Sequence, residues 1–338
     1  MVLVTGGTGL VGSHLLLRLV LSKVKVRAIY RSVEKLGDVK KVFSYYEEAP
    51  ETIFNQIEWV KGDILDVPSL ESAFLDIEQV YHAAALISFD TRDFKKLRKV
   101  NVEGTANIVN MCIHHKIRKL CYVSTIGTIG RSIGGKEATE SNDWNELHTN
   151  VYALTKYSAE MEVWRGSQEN LDVVIVNPGV ILGPGFWNSG SGKLFTTVNE
   201  GYSYYPPGGT GFVSVTDVVS VMTLLMASTI KNDRFILVSE NLTYKEIMTS
   251  ISHILGRKPP KKELKKWQLE IGRYFDFLKT LFTGKPRTLT KNSVYSLLHP
   301  ETYNSEKVRT VLNISFEPLE ASIAFTSKKF MEDCLYQQ

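Results

Sequence analysis

The chain has three cysteines in 338 residues, almost no excess charge of either sign, and no apolar stretch approaching the ~20 residues a bilayer-crossing helix needs. Cys112, Cys121 and Cys334 are odd in number and lack metal-ligand spacing, so they read as core thiols in a reducing compartment. Forty basic side chains against 36 acidic ones, a net +4, leave no electrostatic footprint for nucleic acid. No leader precedes the first apolar run, which sets a cytoplasmic expectation. Among the seven histidines, His114 and His115 are helical neighbours that point apart with no carboxylate set at ligand spacing, so no metal site is expected. Repeats and low-complexity tracts are also lacking.

What is present begins at once. Met1-Val-Leu-Val-Thr5 reads as a buried parallel strand, followed by Gly6, Gly9 and Gly12 and an apolar helix from Leu10 to Leu21. This strand, turn and helix start form a phosphate cradle: the N–H groups around Thr8, Leu10 and Val11 and the positive end of the helix dipole face one point. Gly6 permits the sharp turn, Gly9 lets a pyrophosphate approach, and Gly12 lets the helix pack closely. The spacing Gly-x-x-Gly-x-x-Gly is one residue looser at its first gap than the dinucleotide fingerprint, and a strand from Val24 to Tyr30 at βαβ distance supplies the supporting context. Ser189-Gly-Ser-Gly-Lys193 lacks the leading glycine and the hydroxyl residue of a P-loop, and reads as an open loop.

Further strand-like runs recur at Ile57–Val60, Gln79–Ala84, Lys119–Thr125, Leu171–Asn177 and Arg234–Val238, with helical stretches between most of them. The alternation predicts an α/β fold: a Rossmann-type doubly wound parallel sheet covered on both faces. With 43% hydrophobic and 22% charged residues, the length suits one large domain, 1–180 plus 212–240, and a smaller, mainly helical substrate lobe, 181–211 and 241–335. The longest helical stretches are Arg92–Lys116 and Val151–Gln168. In Lys261–Phe282, Leu264, Trp267, Ile271, Phe275, Leu278 and Phe282 recur at helical spacing with lysines opposite. The expectation is a helix packed on its own protein by this face; peripheral contact with a membrane surface is the alternative.

Tyr152 and Lys156 lie four apart in a good helix-forming stretch, so both emerge on one face. A phenol with a pKa near ~10 transfers protons poorly at neutral pH, and a neighbouring ammonium would pull that pKa down into working range. Tyr303 and Lys307 repeat the spacing, but no strand ending in hydroxyl residues precedes them. Tyr152 does follow such a strand, which ends at Ser124 and Thr125, where ligands of doubly wound sheets gather. Thr125 can donate to a carbonyl oxygen that Tyr152 protonates, and Ser124, one residue off in a period-two strand, faces the other way.

These residues together resemble the extended short-chain dehydrogenase/reductases over nearly the whole chain. The shared segments, in the family's order, are Thr5 to Gly12, Gly62 to Asp66, His82 to Ala85, Asn101 to Thr105, Val123 to Thr125, Tyr152 with Lys156, Asn177 to Gly185 and Phe212 to Val218. The resemblance implies that Asp63 and Ile64 flank the adenine, that Ala83, Ala84, Ala85 and Val123 line the cofactor, and that Lys156 also holds the nicotinamide ribose. Pro178, Gly179 and Val180 would border the nicotinamide, and the two long helices would pair into a homodimer's four-helix bundle.

The second strand ends in Tyr30, Arg31 and Ser32, where NAD-binding proteins place an acid; a guanidinium beside a hydroxyl is a phosphate receptor, so NADP(H) is expected over NAD(H). Two chemistries compete: reduction of a carbonyl on a small hydrophobic molecule, and epimerisation or dehydration of a nucleotide sugar. Nucleotide-sugar epimerases commonly carry a cation just before the Phe-Val-x-Val-x-Asp strand, where this chain has Gly208-Gly-Thr-Gly211. Asn177-Pro178 resembles the dihydroflavonol reductase and hydroxysteroid dehydrogenase branch, with Ser88, Phe89, Ile126, Asn177, Phe186 and Trp187 as candidate substrate contacts. The expectation is therefore a carbonyl reductase with Thr125, Tyr152 and Lys156 as its catalytic residues. Lys193 keeps the sugar reading open, and a cofactor-sensing regulator without turnover is a third reading.

Overall fold

The computed structural model describes residues 1–132, 134–147, 149–284, 287 and 289–335. Parts of the 126–150 loop and of the 241–335 lobe therefore lie outside the described residues. Seven strands form the main sheet: β1 (Val2–Thr5), β2 (Val26–Tyr30), β3 (Glu58–Lys61), β4 (Gln79–His82), β5 (Lys119–Val123), β6 (Asp172–Pro178) and β7 (Asp233–Leu237). All neighbours are parallel, in the order β7-β6-β5-β4-β1-β2-β3. The order reverses between β1 and β4, so the carboxyl ends of these two strands flank a crevice.

Period-two alternation assigns each strand's side chains to two faces, and here both are buried. Val4, Ala28, Val174 and Val176 meet Leu16, Val20 and Met222 on one side. Leu3, Val80, Leu120, Tyr122 and Ile175 meet Ile108 and Val163 on the other. Each such valine, leucine, isoleucine or methionine side chain contributes about 1.5–3 kcal/mol of burial. A separate core built on Leu182, Phe195, Phe212, Ile247, Ile251, Ile323 and Phe330 underlies a three-stranded sheet of Val180–Leu182, Gly209–Ser214 and Glu240–Thr243.

Four helices hold the segments that the sequence marks out. α1 (Leu10–Leu21) leaves the glycine turn. α2 (Gly104–His114) continues a helical stretch that runs from Phe94–Leu97 through a π-helical turn, Arg98–Glu103. α3 (Val151–Gln168) starts on an Asn150 cap whose Oδ1 accepts from the Ala153 N–H at 2.8 Å. α4 (Lys266–Thr283) ends on Gly284 in the left-handed region, φ 67°.

α4 overturns one expectation. Its apolar face does not pack on the protein: Trp267, Ile271, Tyr274, Phe275, Leu281 and Phe282 are exposed, and the buried residues on the helix are Leu269 and Thr280. Periodicity identifies which residues share a face, but not which face meets the body.

The glycine turn is tight for a definite reason. Gly6 has φ +71°, and a Cβ there would lie 2.5 Å from the Ala84 nitrogen at the end of β4. A Cβ on Gly12 would lie 2.0 Å from the Gly6 carbonyl oxygen, whereas one on Gly37 would meet nothing within 4 Å. Gly12→Ala is therefore expected to lower unfolding free energy in urea by about 2 kcal/mol or more, and Gly37→Ala to leave it unchanged or raise it by about 0.5–1 kcal/mol. Equal effects at the two positions would contradict this account of the turn.

Candidate active site

β4 and β5 stop at His82 and Val123, so Ala83, Ala84, Ser124 and Thr125 emerge from the ladder at the carboxyl edge of the sheet. The Ala83 and Ala84 N–H groups donate to the Thr5 carbonyl and to Thr5 Oγ1, at 3.2 and 3.4 Å, which binds this edge to the end of β1. His82 bridges the layers: Nδ1 lies 2.6 Å from Thr5 Oγ1 and Nε2 lies 2.9 Å from Thr105 Oγ1. Burial, with the Lys156 charge in second place, pushes its pKa down to about 3 and keeps the ring neutral. Asn101, in the π-helical turn, accepts from the Leu86 N–H at 2.7 Å and donates to the Leu86 carbonyl and to Thr155 Oγ1. π-Helical turns of this kind recur at functional sites.

The turn fits a dinucleotide pyrophosphate. A Cβ on Gly9 would meet only the Gly6 carbonyl oxygen, at 3.6 Å, so the N–H ends of α1 remain approachable over the glycine. Thr8, Leu10 and Val11 are partly exposed along this edge. At the end of β2, Arg31 is exposed and stands 3.8 Å from Asp63, while the Ser32 hydroxyl donates to Glu34. Asp63 also accepts from the Leu65 N–H at 3.0 Å. The Ile64 side chain is buried, and its carbonyl accepts from Asn107 at 2.9 Å. Ala85 is exposed, Val123 and Val180 are half-buried, and Pro178 ends β6 directly before Gly179. A Cβ on Gly179 would lie 2.3 Å from the Gly211 carbonyl oxygen, so only glycine lets these two strands approach.

Lys156 is 1% exposed. Its Nζ donates to Tyr122 Oη at 2.5 Å and to the Val123 carbonyl at 2.8 Å, and it stands 4.1 Å from the centre of the Tyr122 ring. Burial pushes its pKa down to about 7, against the opposing pull of Glu160. Burial also pushes the Tyr152 phenol up to about 12. This corrects the expectation that the lysine draws the phenol's pKa downward: its donors are directed at Tyr122 and Val123, and desolvation governs Tyr152. Thr125 is half-buried, and its Oγ1 accepts from the Gly127 N–H at 3.2 Å. Ser124 is turned inward to Glu160 at 2.6 Å.

Beneath this edge lies a polar cluster that sequence reasoning did not find. Glu160, fully buried, accepts from Ser124, from Thr128 at 2.8 Å and from Asn177 at 3.1 Å, and pairs with Arg234 of β7 at 3.2 Å. The one available signal was a glutamate on the same helical face as Lys156.

The candidate substrate residues divide. Phe89 is exposed and meets the Tyr152 ring edge-on at 6.0 Å. Ser88 donates to Asp93 at 2.6 Å within the same loop. Of the others, Asn177 donates into the Glu160 cluster while its Oδ1 has no partner, and Ile126 is buried with Ile129, Ile236 and Val238. Phe186 packs against the large-domain core, while Trp187 donates to Asp333 at 2.8 Å and stacks edge-on with Phe195 and Phe330 in the lobe. Tyr303 precedes the helix Glu306–Leu312 that holds Lys307, so that pair shares no helical face. Lys193 lies in the helix Gly192–Asn199, where a loop was expected. A carboxylate that the sequence spacing does not show accompanies the two neighbouring histidines: Glu71 meets His114 and His115, with ligand atoms within 4.8 Å of one another. His115 Nε2 lies 3.1 Å from a Glu71 carboxylate oxygen.

Residues 2–237 match the NAD dependent epimerase/dehydratase family. The chain belongs to this family. It is 30% identical over 273 residues to a putative dihydroflavonol 4-reductase of Synechocystis, covering 78% of this chain and 75% of that one. It is likewise 30% identical over 265 residues to sterol demethylase protein B of Methylococcus capsulatus, covering 77% and 76%. The fold is similar to that of UDP-glucose 4-epimerase from Thermotoga maritima (TM-score 0.77, 20% identity, 98% and 99% covered). It is also similar to the yeast methylglyoxal/isovaleraldehyde reductase solved with NADPH (TM-score 0.73, 18% identity, 98% of each chain covered).

The folded pKa of Lys156, about 7 against an ordinary 10.5, carries a sign. Between these values the unfolded chain binds a proton that the folded chain has released, so raising the pH stabilises the folded state through this group. Relative to Lys156→Met, the native protein should gain about 2 kcal/mol of unfolding free energy between pH 7 and about pH 9 in urea titrations. Parallel profiles for the two proteins would show that the ammonium is not desolvated.

Proposed function

We propose that the protein is an NADP(H)-dependent reductase of a ketone or aldehyde on a small apolar molecule. The observation that carries the reading is the position of Tyr152: a phenol held at the start of α3, one turn before the buried Lys156, with the ring of Phe89 against it. A phenol so held is a proton donor to an oxygen that becomes an alkoxide. When bound, the nicotinamide supplies hydride. Thr125 stands at the adjacent strand end to orient the carbonyl oxygen, and Lys156, near neutrality in pKa, can return a proton to the phenol or hold ribose hydroxyls. The catalytic set proposed is thus Thr125, Tyr152 and Lys156.

The relatives named as dihydroflavonol reductases support the reductase side. Residues 208–211 support it too: this stretch has no cation for a sugar diphosphate, and backbone from Ser296 and Leu297 closes over Gly208. One observation favours a nucleotide-sugar epimerase or dehydratase instead, namely the exposed Lys193 at the start of a lobe helix. NADP(H) preference rests on Arg31, and a homodimer through α2 and α3 and a cytoplasmic placement, in keeping with the buried thiols of Cys112 and Cys121, belong to the same proposal.

Tyr152→Phe should lower NADPH-dependent carbonyl reduction by about 100-fold or more while leaving NADPH affinity within about twofold. Substantial residual turnover would remove the phenol from the chemistry. Arg31→Ala should weaken NADPH about tenfold or more in titration calorimetry and barely alter NADH; equal losses would defeat the cofactor assignment.

A further inference from the structure

α4 is amphipathic with its sides reversed. At about 100° per residue, Leu269, Arg273, Asp276 and Thr280 share the arc that meets the protein, and Trp267, Ile271, Tyr274, Phe275, Leu278 and Phe282 share the opposite arc. Leu269 is 5% exposed, against 59% for Trp267, 64% for Phe275 and 86% for Phe282. The inward side is polar: Asp276 accepts from the Leu289 N–H at 3.0 Å, and Arg273 pairs within the helix with Glu270 at 2.7 Å. Six large apolar or aromatic side chains on one outward face form a patch of the kind that marks an interaction surface.

The charge around the patch selects its occupant. Residues 258–284 hold seven basic and three acidic side chains, a net +4, equal to that of the whole chain. Lys266 and Lys279 border the apolar arc on its two sides, and Lys258, Lys261, Lys262 and Lys265 precede the helix. A second copy docked by two-fold symmetry would set these cations against their own equivalents, an unfavourable pairing. Aromatic side chains in the plane of a lysine-bordered helix suit the headgroup boundary of a bilayer that carries negative charge. No helix among the described residues is long and apolar enough to cross a membrane, so the contact is with its surface.

We infer that α4 lies in the surface of an anionic lipid bilayer, with its outward aromatic face at the boundary between headgroups and acyl chains and its lysines on the lipid phosphates. The location of the helix gives this contact a use. The Arg287 N–H, just beyond α4, donates to the buried Asp90 at 2.7 Å, and Asp90 adjoins Phe89, which touches Tyr152. Ile87 and Phe89 are exposed on that loop. The loop that carries Phe89 against Tyr152 is thus bonded to the segment directly after the membrane-facing helix, so an apolar substrate dissolved in lipid would reach Tyr152 from that side. This last step rests on the carbonyl-reductase reading; the docking itself does not.

The test is flotation of the full-length protein with vesicles of phosphatidylcholine alone and of phosphatidylcholine mixed with phosphatidylglycerol, without substrate. Binding to the anionic vesicles should exceed binding to the neutral ones by about tenfold or more, weaken with added salt, and shift Trp267 fluorescence to the blue. Phe275→Ser combined with Phe282→Ser removes only exposed rings, so circular dichroism and NADPH affinity should be unchanged while anionic-vesicle binding falls about tenfold or more. Binding that ignores lipid charge, or that survives the double substitution, would overturn the inference. So would an absence of vesicle binding together with a dimer, or a complex with an acidic protein, that the same substitutions dissolve. None of these readouts uses turnover, so a failure here is distinguishable from a failure of the proposed reaction.

Discussion

The desolvated ammonium of Lys156 is the constraint on which the site depends. It sits inside the protein at the carboxyl end of β5, with a neighbouring tyrosine hydroxyl and the Val123 carbonyl as acceptors. A buried cation without partners would be expelled or neutralised, so these acceptors determine where α3 rests against the sheet. Because Tyr152 is one turn earlier on that helix, its phenol inherits the position. The Glu160 cluster secures the same helix from below, since Ser124, Thr128, Asn177 and Arg234 come from three separate segments and converge on one carboxylate. Such a cluster is stabilising only when its members are satisfied together, which links the order of β5, β6, β7 and α3.

The second fixed point is the junction of β1 with β4. Close approach of Gly6 to the Ala83–Ala84 backbone, with the Thr5–His82–Thr105 chain behind it, brings the glycine turn against the carboxyl end of β4. A dinucleotide held over the turn would therefore reach this edge by the geometry of a sheet whose strand order reverses there. The lobe reaches the Phe89 loop through a backbone donor, the Arg287 N–H. The buried Asp90 joins the two regions, because burial raises its pKa but Arg92 and the Arg287 N–H outweigh that and hold it at about 2.

Much of this was legible in the sequence. All seven strands of the main sheet were anticipated, because uninterrupted runs such as Val-Val-Ile-Val and Leu-Cys-Tyr-Val can be buried on both faces only in a parallel sheet. α3 matched its expected bounds because Asn150 caps it. The lysine's true partners were not legible: Tyr122 is 34 residues away and reads in the sequence as one more apolar strand residue. The bonds of Asn177 and Trp187 were hidden for a related reason, since a side chain able to touch substrate is equally able to satisfy a buried carboxylate or fill a lobe. The outward aromatic face of α4 was hidden because helical periodicity is the same whether a face meets protein, lipid or water.

Hydride tracing separates carbonyl reduction from chemistry on a nucleotide sugar. With NADPH deuterated at the transferable C4 position and a panel of apolar ketones and aldehydes, the account expects deuterium on the carbinol carbon of the product and a matching loss of NADPH. Turnover of a nucleotide sugar with the label retained on the protein-bound dinucleotide, and no labelled alcohol from any carbonyl, would contradict it.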